Sequence, residues 1–259
     1  MRSRLPSSLA LIVLVALPLA AQEMPQFEWS AIYEEDVKPS MLAEYEAGTK
    51  KMIKDFNDKK LVSPYLYWDA YARDDSSYIF VIPLADPGDL GKMNAAWMGA
   101  MGSMGEAWMK EMMSNATKIT NSYASILVAR RPDLSYMPEN PRLTPAEAKY
   151  VHHDYYYLIP GKEMEAEQLA RDWAAALKKA NFRSGFTVFQ AMMGDDLPAW
   201  AVSTTAKDAV DWASINQSIP AALGADQAKA LNDRLRNLIR KHERGVLTHR
   251  PDLSRPMPE

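Results

Sequence analysis

The chain has 259 residues, 47% of them hydrophobic and 24% charged, with 11 Gly, 17 Pro and no Cys. It is too apolar for a disordered chain, and the missing thiols exclude a disulfide framework, a zinc–thiolate centre, an iron–sulfur cluster and a cysteine nucleophile. The formal net charge of −3 offers no excess of cations for a phosphate backbone, so no nucleic-acid partner is expected.

Arg2 and Arg4 precede an apolar run from Leu9 to Leu19, after which Ala20-Ala21 gives way to Gln22-Glu23. This order is that of a secretory signal over residues 1–21, cleaved after Ala21. The run falls short of the roughly 20 apolar residues that a membrane-crossing helix requires. A periplasmic or secreted address follows as an expectation, with no membrane contact after cleavage. A chain without cysteines suits an oxidising compartment.

The remainder is written twice. Arg131-Pro132-Asp133-Leu134-Ser135 recurs as Arg250-Pro251-Asp252-Leu253-Ser254, and Met137-Pro138-Glu139 as Met257-Pro258-Glu259. Upstream, a shift of 122 sets Asp86 on Asp208, Asp89 on Asp211, Tyr78 on Trp200, Tyr67 on Phe189 and Trp68 on Gln190. The expected division is a first module at 22–140, a linker at 141–148 and a second module at 149–259.

In chain order, each module begins with a strand rich in Tyr, Ile and Val, Trp29 to Tyr33 or Val151 to Ile159. A Pro or Gly turn leads to an amphipathic helix, with Leu42, Tyr45, Met52 and Phe56 in one copy and Met164, Leu169, Trp173 and Leu177 in the other. Two strands follow, Val62 to Tyr71 with Tyr78 to Pro83, and Gly185 to Met193 with Trp200 to Thr204. Asp86 or Asp89, and Asp208 or Asp211, are candidate caps of a second helix, which leads to a last strand near Ser125 to Ala129 or Val246 to Thr248. The run Arg234 to Arg244 reads as the cationic end of that helix. The expected fold class is α+β, two tandem β-α-β-β-α-β ferredoxin-like repeats forming a pseudo-dimeric α/β barrel.

This doubled order, with the turn and helix at Val37-Lys38-Pro39-Ser40-Met41-Leu42-Ala43-Glu44-Tyr45-Glu46, resembles the dimeric α/β-barrel superfamily, in particular its NIPSNAP-like and small monooxygenase-like modules. The resemblance implies sheets closed into a barrel with helices outside, and a family that includes cofactor-free oxygenases, haem enzymes, isomerases and modules without known activity. It names no reaction for this chain.

Strand alternation nominates a site. Aligned by the shift of 122, Glu28, Ser30, Ile32 and Glu34 share a face with Tyr150, His152, Asp154 and Tyr156, and that face is expected to line the barrel. His152 and Asp154 are candidate catalytic residues, base and orienting carboxylate. Glu34, Trp68, Tyr156 and Gln190 are candidate ligand contacts. The alternative is that these polar groups only satisfy one another. All four histidines lie in the second module, which suggests one working site rather than two.

Seven methionines crowd residues 93–113. Trp97, Met101, Met104, Trp108 and Met112 form one helical stripe, which reads as core, whereas Met98, Met101 and Met104 also offer thioethers for Cu(I). No motif demands a cofactor; non-covalent haem, through the resemblance, and Cu(I) are the two candidates. The leading expectation is an exported monomer or homodimer binding a small apolar or aromatic molecule in the barrel. The alternatives are a monooxygenase-like or haem-dependent enzyme using His152 and Asp154, and an interaction module using the Met-rich helix.

Overall fold

A computed structural model of the chain describes residues 27–144 and 147–258, and the expected signal at 1–21 lies outside the described residues. Strand β1 (Glu28–Val37) leads into helix α1 (Leu42–Asp58), strands β2 (Asp69–Arg73) and β3 (Ser77–Leu84), helices α2 (Leu90–Met104) and α3 (Glu106–Ile119), and strand β4 (Thr120–Arg130). The second half repeats the order with β5 (Tyr150–Leu158), α4 (Glu163–Lys179), β6 (Thr187–Met193), β7 (Ala199–Ala206), α5 (Ala209–Leu223), α6 (Ala225–Arg236) and β8 (Ile239–His249). The strands close into one antiparallel barrel in the order β1-β3-β2-β8-β5-β7-β6-β4, and the protein is α+β.

Where one helix was expected before the last strand of each half, two are present. Gly105 and Gly224 adopt φ of +88° and +87°, a conformation that breaks the helix and that side chains with a Cβ avoid. The cationic run is also divided: α6 ends at Arg236, and Arg240, Lys241 and Arg244 lie on β8.

Side chains from one strand face pack beneath the helices. In the first half Ala31, Val37, Ala70, Tyr78 and Ile82 meet Tyr45 of α1, Met93 of α2 and Ile119 of α3; in the second, Leu158, Val188 and Trp200 meet Leu169 of α4 and Leu231 of α6. The alternate residues turn into the barrel, where Arg73 forms a bidentate pair with Glu34 beside Tyr155. Gly245 is tight against that group: an added Cβ would lie 3.3 Å from the Tyr155 ring and 3.4 Å from Arg73.

The repeated motif joins the halves reciprocally. Leu134 leaves the first half and is buried in the second core, while Leu253 leaves the second and is buried in the first. Arg131 grips Asp133 with two bonds of 2.9 and 2.8 Å and donates to Glu167 of α4 at 2.9 Å. Arg250 grips Asp252 with two bonds of 2.9 Å and donates to Glu46 of α1 at 2.6 Å. The motif is thus a staple between halves.

Candidate functional site

A cavity of about 290 Å³ lies between the outer face of β5, β6 and β7 and the helices α4, α5 and α6. Its walls are aromatic and aliphatic: Trp173 of α4, Phe186 from the approach to β6, Trp200 of β7, Trp212 and Ile219 of α5, and Leu235 of α6. The polar groups in the wall are mostly committed. Thr204 Oγ1 accepts from Trp212 Nε1 at 3.1 Å, Asn216 Nδ2 donates to Trp212 O at 3.0 Å, and Ser184 Oγ takes a bond from Arg142 at 3.0 Å. Among the wall's fully buried polar atoms Trp200 Nε1 has no partner, in a residue only 5% exposed. A buried N–H left unpaired costs about 1–3 kcal/mol, and Trp97 Nε1 in the first half is left unpaired in the same way.

At the corresponding place in the first half, side chains of α1 and α2 pack together. There Trp97 of α2 packs its ring 5.6 Å from Trp68 and 5.7 Å from Phe56. Asp86 and Asp208 are the caps, accepting from Gly88 N and Asp211 N, and three residues on Asp89 and Asp211 make the same bond, each accepting a backbone N–H four residues back, at 3.2 and 2.8 Å. Fifteen residues then separate Asp89 from the helix-breaking Gly105, but only twelve separate Asp211 from Gly224. The second half is thus three residues shorter over this stretch: α2 and α5 each have 15 residues, but a 3-10 turn at Pro87–Asp89 precedes α2, and the apolar volume beneath α5 stays open.

His152 and Asp154 are adjacent but do not face the barrel. The backbone bonds Lys38 N to Ile119 O and Ile159 N to Leu238 O are counterparts, which fixes the shift between β1 and β5 at 121 rather than 122. One residue of slip moves every side chain to the opposite face. His152 therefore lies outside, 4% exposed, stacked on Trp212 at 4.0 Å, while His153 and Tyr155 turn inward. His152 Nδ1 is 3.6 Å from Asp154 Oδ2, too far for a hydrogen bond, and is unpartnered. Burial holds the His152 imidazole below its ordinary pKa against the opposing pull of Asp154, and Arg244 and His242 add to the lowering. Asp154 instead engages His242 Nε2 at 2.7 Å and Arg244 Nε at 3.2 Å.

The expected ligand contacts do not converge. Glu34 is inside the barrel with Arg73, whereas Tyr156 lines the outer cavity. Trp68 is core, with Nε1 donating to Leu253 O at 2.9 Å, and Gln190 accepts from Arg131 at 2.8 Å, so both serve the staples. Nor are Trp68 and Gln190 counterparts: Arg250 N bonds Ala70 O as Arg131 N bonds Val188 O, a shift of 118 that pairs Trp68 with Phe186. Met98, Met101 and Met104 all lie on α2. Six residues turn a helix through about 600°, so Met98 stands 66% exposed while Met104 packs near Phe56 and Trp108. The residues that sequence reasoning missed are Trp200, Trp212 and Trp173. Each occupied an apolar strand or helix position indistinguishable from core.

No family model matches the sequence, and the search of curated proteins finds no match. Among solved structures, the chain is similar to an anthrone oxidase-like protein at 14% identity and TM-score 0.54, covering 86% of this chain and 91% of that one. It is also similar to a candidate monooxygenase from Fusobacterium nucleatum subsp. nucleatum at 11% identity and TM-score 0.50, covering 87% and 94%. At 10% identity and TM-score 0.46, a heme-binding protein from Thermus thermophilus covers 89% and 94%. The first two neighbours and the closed barrel agree on architecture: this chain has the dimeric α/β-barrel fold.

Proposed function

We propose that this protein binds a small, largely apolar molecule bearing one hydrogen-bond acceptor, in the cavity between the sheet and α4, α5 and α6. The observation that carries this reading is the unpartnered Trp200 Nε1 in an aromatic wall. The site differs from the barrel interior anticipated by strand alternation, which is occupied by Arg73, Glu34, Tyr155 and Phe189. We also infer that the two halves descend from one module by duplication. Their identical element order and the doubled Arg-Pro-Asp-Leu-Ser motif support this. The N-terminal pattern supports export to the periplasm or beyond.

The test is a pair of probes that differ by one carbonyl, 1-tetralone and tetralin, titrated against tryptophan fluorescence. Tetralone should bind more tightly, by roughly the 1–3 kcal/mol that an unpaired buried donor costs, and Trp200→Phe should erase the preference. Equal affinity for both probes in the unmodified protein refutes the acceptor requirement.

A second reading, an oxygenase, is favoured by the fold shared with the anthrone oxidase-like protein. In that reading the cavity holds an aromatic substrate, and the base must act across Trp212, which separates His152 from the cavity. Oxygen uptake with anthrone, absent or present, decides it. Haem does not fit this cavity. No histidine lines it, and burial raises the Tyr156 phenol above its ordinary pKa, against the phenolate a tyrosine-held iron requires.

A further inference from the structure

Closure of the barrel is incomplete along two strands. β4 runs from Thr120 to Arg130 but pairs with β6 only through Leu127–Arg130, and β8 runs from Ile239 to His249 but pairs with β2 only through Leu247–His249. Over 120–126 and 239–246 each strand therefore has a partner on one side, β1 or β5, and no strand partner among the described residues on the other. Along such an edge alternate residues present N–H and C=O outward, a template for another strand.

The two edges are guarded differently. On β8 the open segment carries Arg240, Lys241, His242, Glu243 and Arg244, the charges that usually keep strand edges apart. On β4 the open segment is Thr120-Asn121-Ser122-Tyr123-Ala124-Ser125-Ile126, without a charge or a proline. Asn121, Ser122 and Ser125 are exposed, and Tyr123 is 81% exposed. An aromatic ring standing in solvent on an unguarded edge is a surface that association would cover.

We infer that the β4 edge docks a second copy of this chain, β4 against β4 in antiparallel register about Tyr123. The occupant follows from charge and reach. A neutral edge meets its own copy without like-charge repulsion, whereas two β8 edges would bring Arg and Lys against Arg and Lys. The residues before Phe27 join β1 at its Glu28 end, beside Arg130, whereas the open edge lies at the Asp36 end, beside Ser122. That is about 25–30 Å along the strand. If the signal is removed after Ala21, the remaining Gln22-Glu23-Met24-Pro25-Gln26 spans at most roughly 17 Å and stops short of Tyr123 and Ser122. A seven-residue ladder with one aromatic anchor buries less than a standard stable interface, so the dimer is weak and concentration-dependent. The surface is separate from the cavity, and the inference stands whether or not the cavity binds a ligand.

The experiment is sedimentation velocity across a concentration series with the signal-free chain, paired with amide exchange. The unmodified protein should shift from monomer to dimer as concentration rises, with amides of 121–126 gaining protection in step. Tyr123→Lys, which installs the missing guard at an exposed position, should weaken the dimer about tenfold or more, as should Ser125→Lys. Val62→Lys, at a residue 78% exposed elsewhere, should leave it intact. A protein that stays monomeric, a dimer indifferent to both edge lysines, or a monomer already protected over 121–126 overturns the inference; the last assigns the edge to the chain's own N-terminal residues.

Discussion

Inside the barrel, His153 stacks on Phe189 at 6.3 Å and lies 5.6 Å from the Tyr155 ring. Burial, and then the charge of neighbouring His152, hold its imidazole down to about 4 from an ordinary value of 6.5. An unfolded chain therefore takes up a proton at a pH where the folded one refuses it. Stability from this residue is complete above about pH 6.5 and is lost as the pH falls toward 4, by at most about 3 kcal/mol. His152, lowered by burial on the outer face, acts in the same direction. Urea midpoints at several pH values check this: His153→Gln should flatten the decline, and an unchanged slope would place the pH dependence in His152 and the carboxylates. The histidine-bearing strand was legible in the sequence, but its inward row was not. Only the counterpart backbone bonds at Lys38 and Ile159 reveal the odd shift of 121 between the first strands. A repeat with small length changes keeps its motifs in view while hiding such slips, and in a strand each slip reverses inside and outside.

At the scale of elements, the cavity depends on the segment between capping aspartate and helix-breaking glycine. The first half, three residues longer between Asp86 and Gly105 than the second between Asp208 and Gly224, packs Trp97 onto Phe56 and Trp68; α5 leaves Ile219 and Asn216 over an open space. Counted from the capping aspartates Asp86 and Asp208, Ile219 stands where α2 has Trp97. Ile219→Trp should therefore fill the cavity, reduce tetralone affinity at least tenfold and change stability by no more than about 1–2 kcal/mol, gain from added burial offsetting overpacking. Fluorescence titration and thermal melting check both parts; unchanged binding would move the ligand elsewhere. The helices themselves follow from apolar spacing and aspartate caps. Their breaks at Gly105 and Gly224 were less legible, because Gly99 and Gly102 in the same stretch remain helical. Composition does not say which glycine takes a positive φ.

Taken whole, the molecule has two cores but no independent halves. β4 joins β6 and β2 joins β8 across the division, so the barrel exists only when both halves are folded. Each core also needs a leucine from the other half, Leu134 or Leu253, both 0% exposed. The doubled motif was visible in the sequence, yet reciprocity was not, since a motif repeated at two ends reads equally well as a local turn. The arrangement predicts one cooperative unfolding transition for a chain written as two modules. Leu134→Ala and Leu253→Ala should each cost about 2–5 kcal/mol. Although they sit in different cores, each should lower the same single transition as seen by calorimetry and by tryptophan fluorescence. Were the cores independent, Leu134→Ala would split the melt, dropping the second-half signal of Trp173, Trp200 and Trp212 while leaving that of Trp68 and Trp97 in place. A calorimetric enthalpy matching the van't Hoff value in both variants establishes coupling; two resolved transitions in either one would leave the reciprocal leucines as local packing.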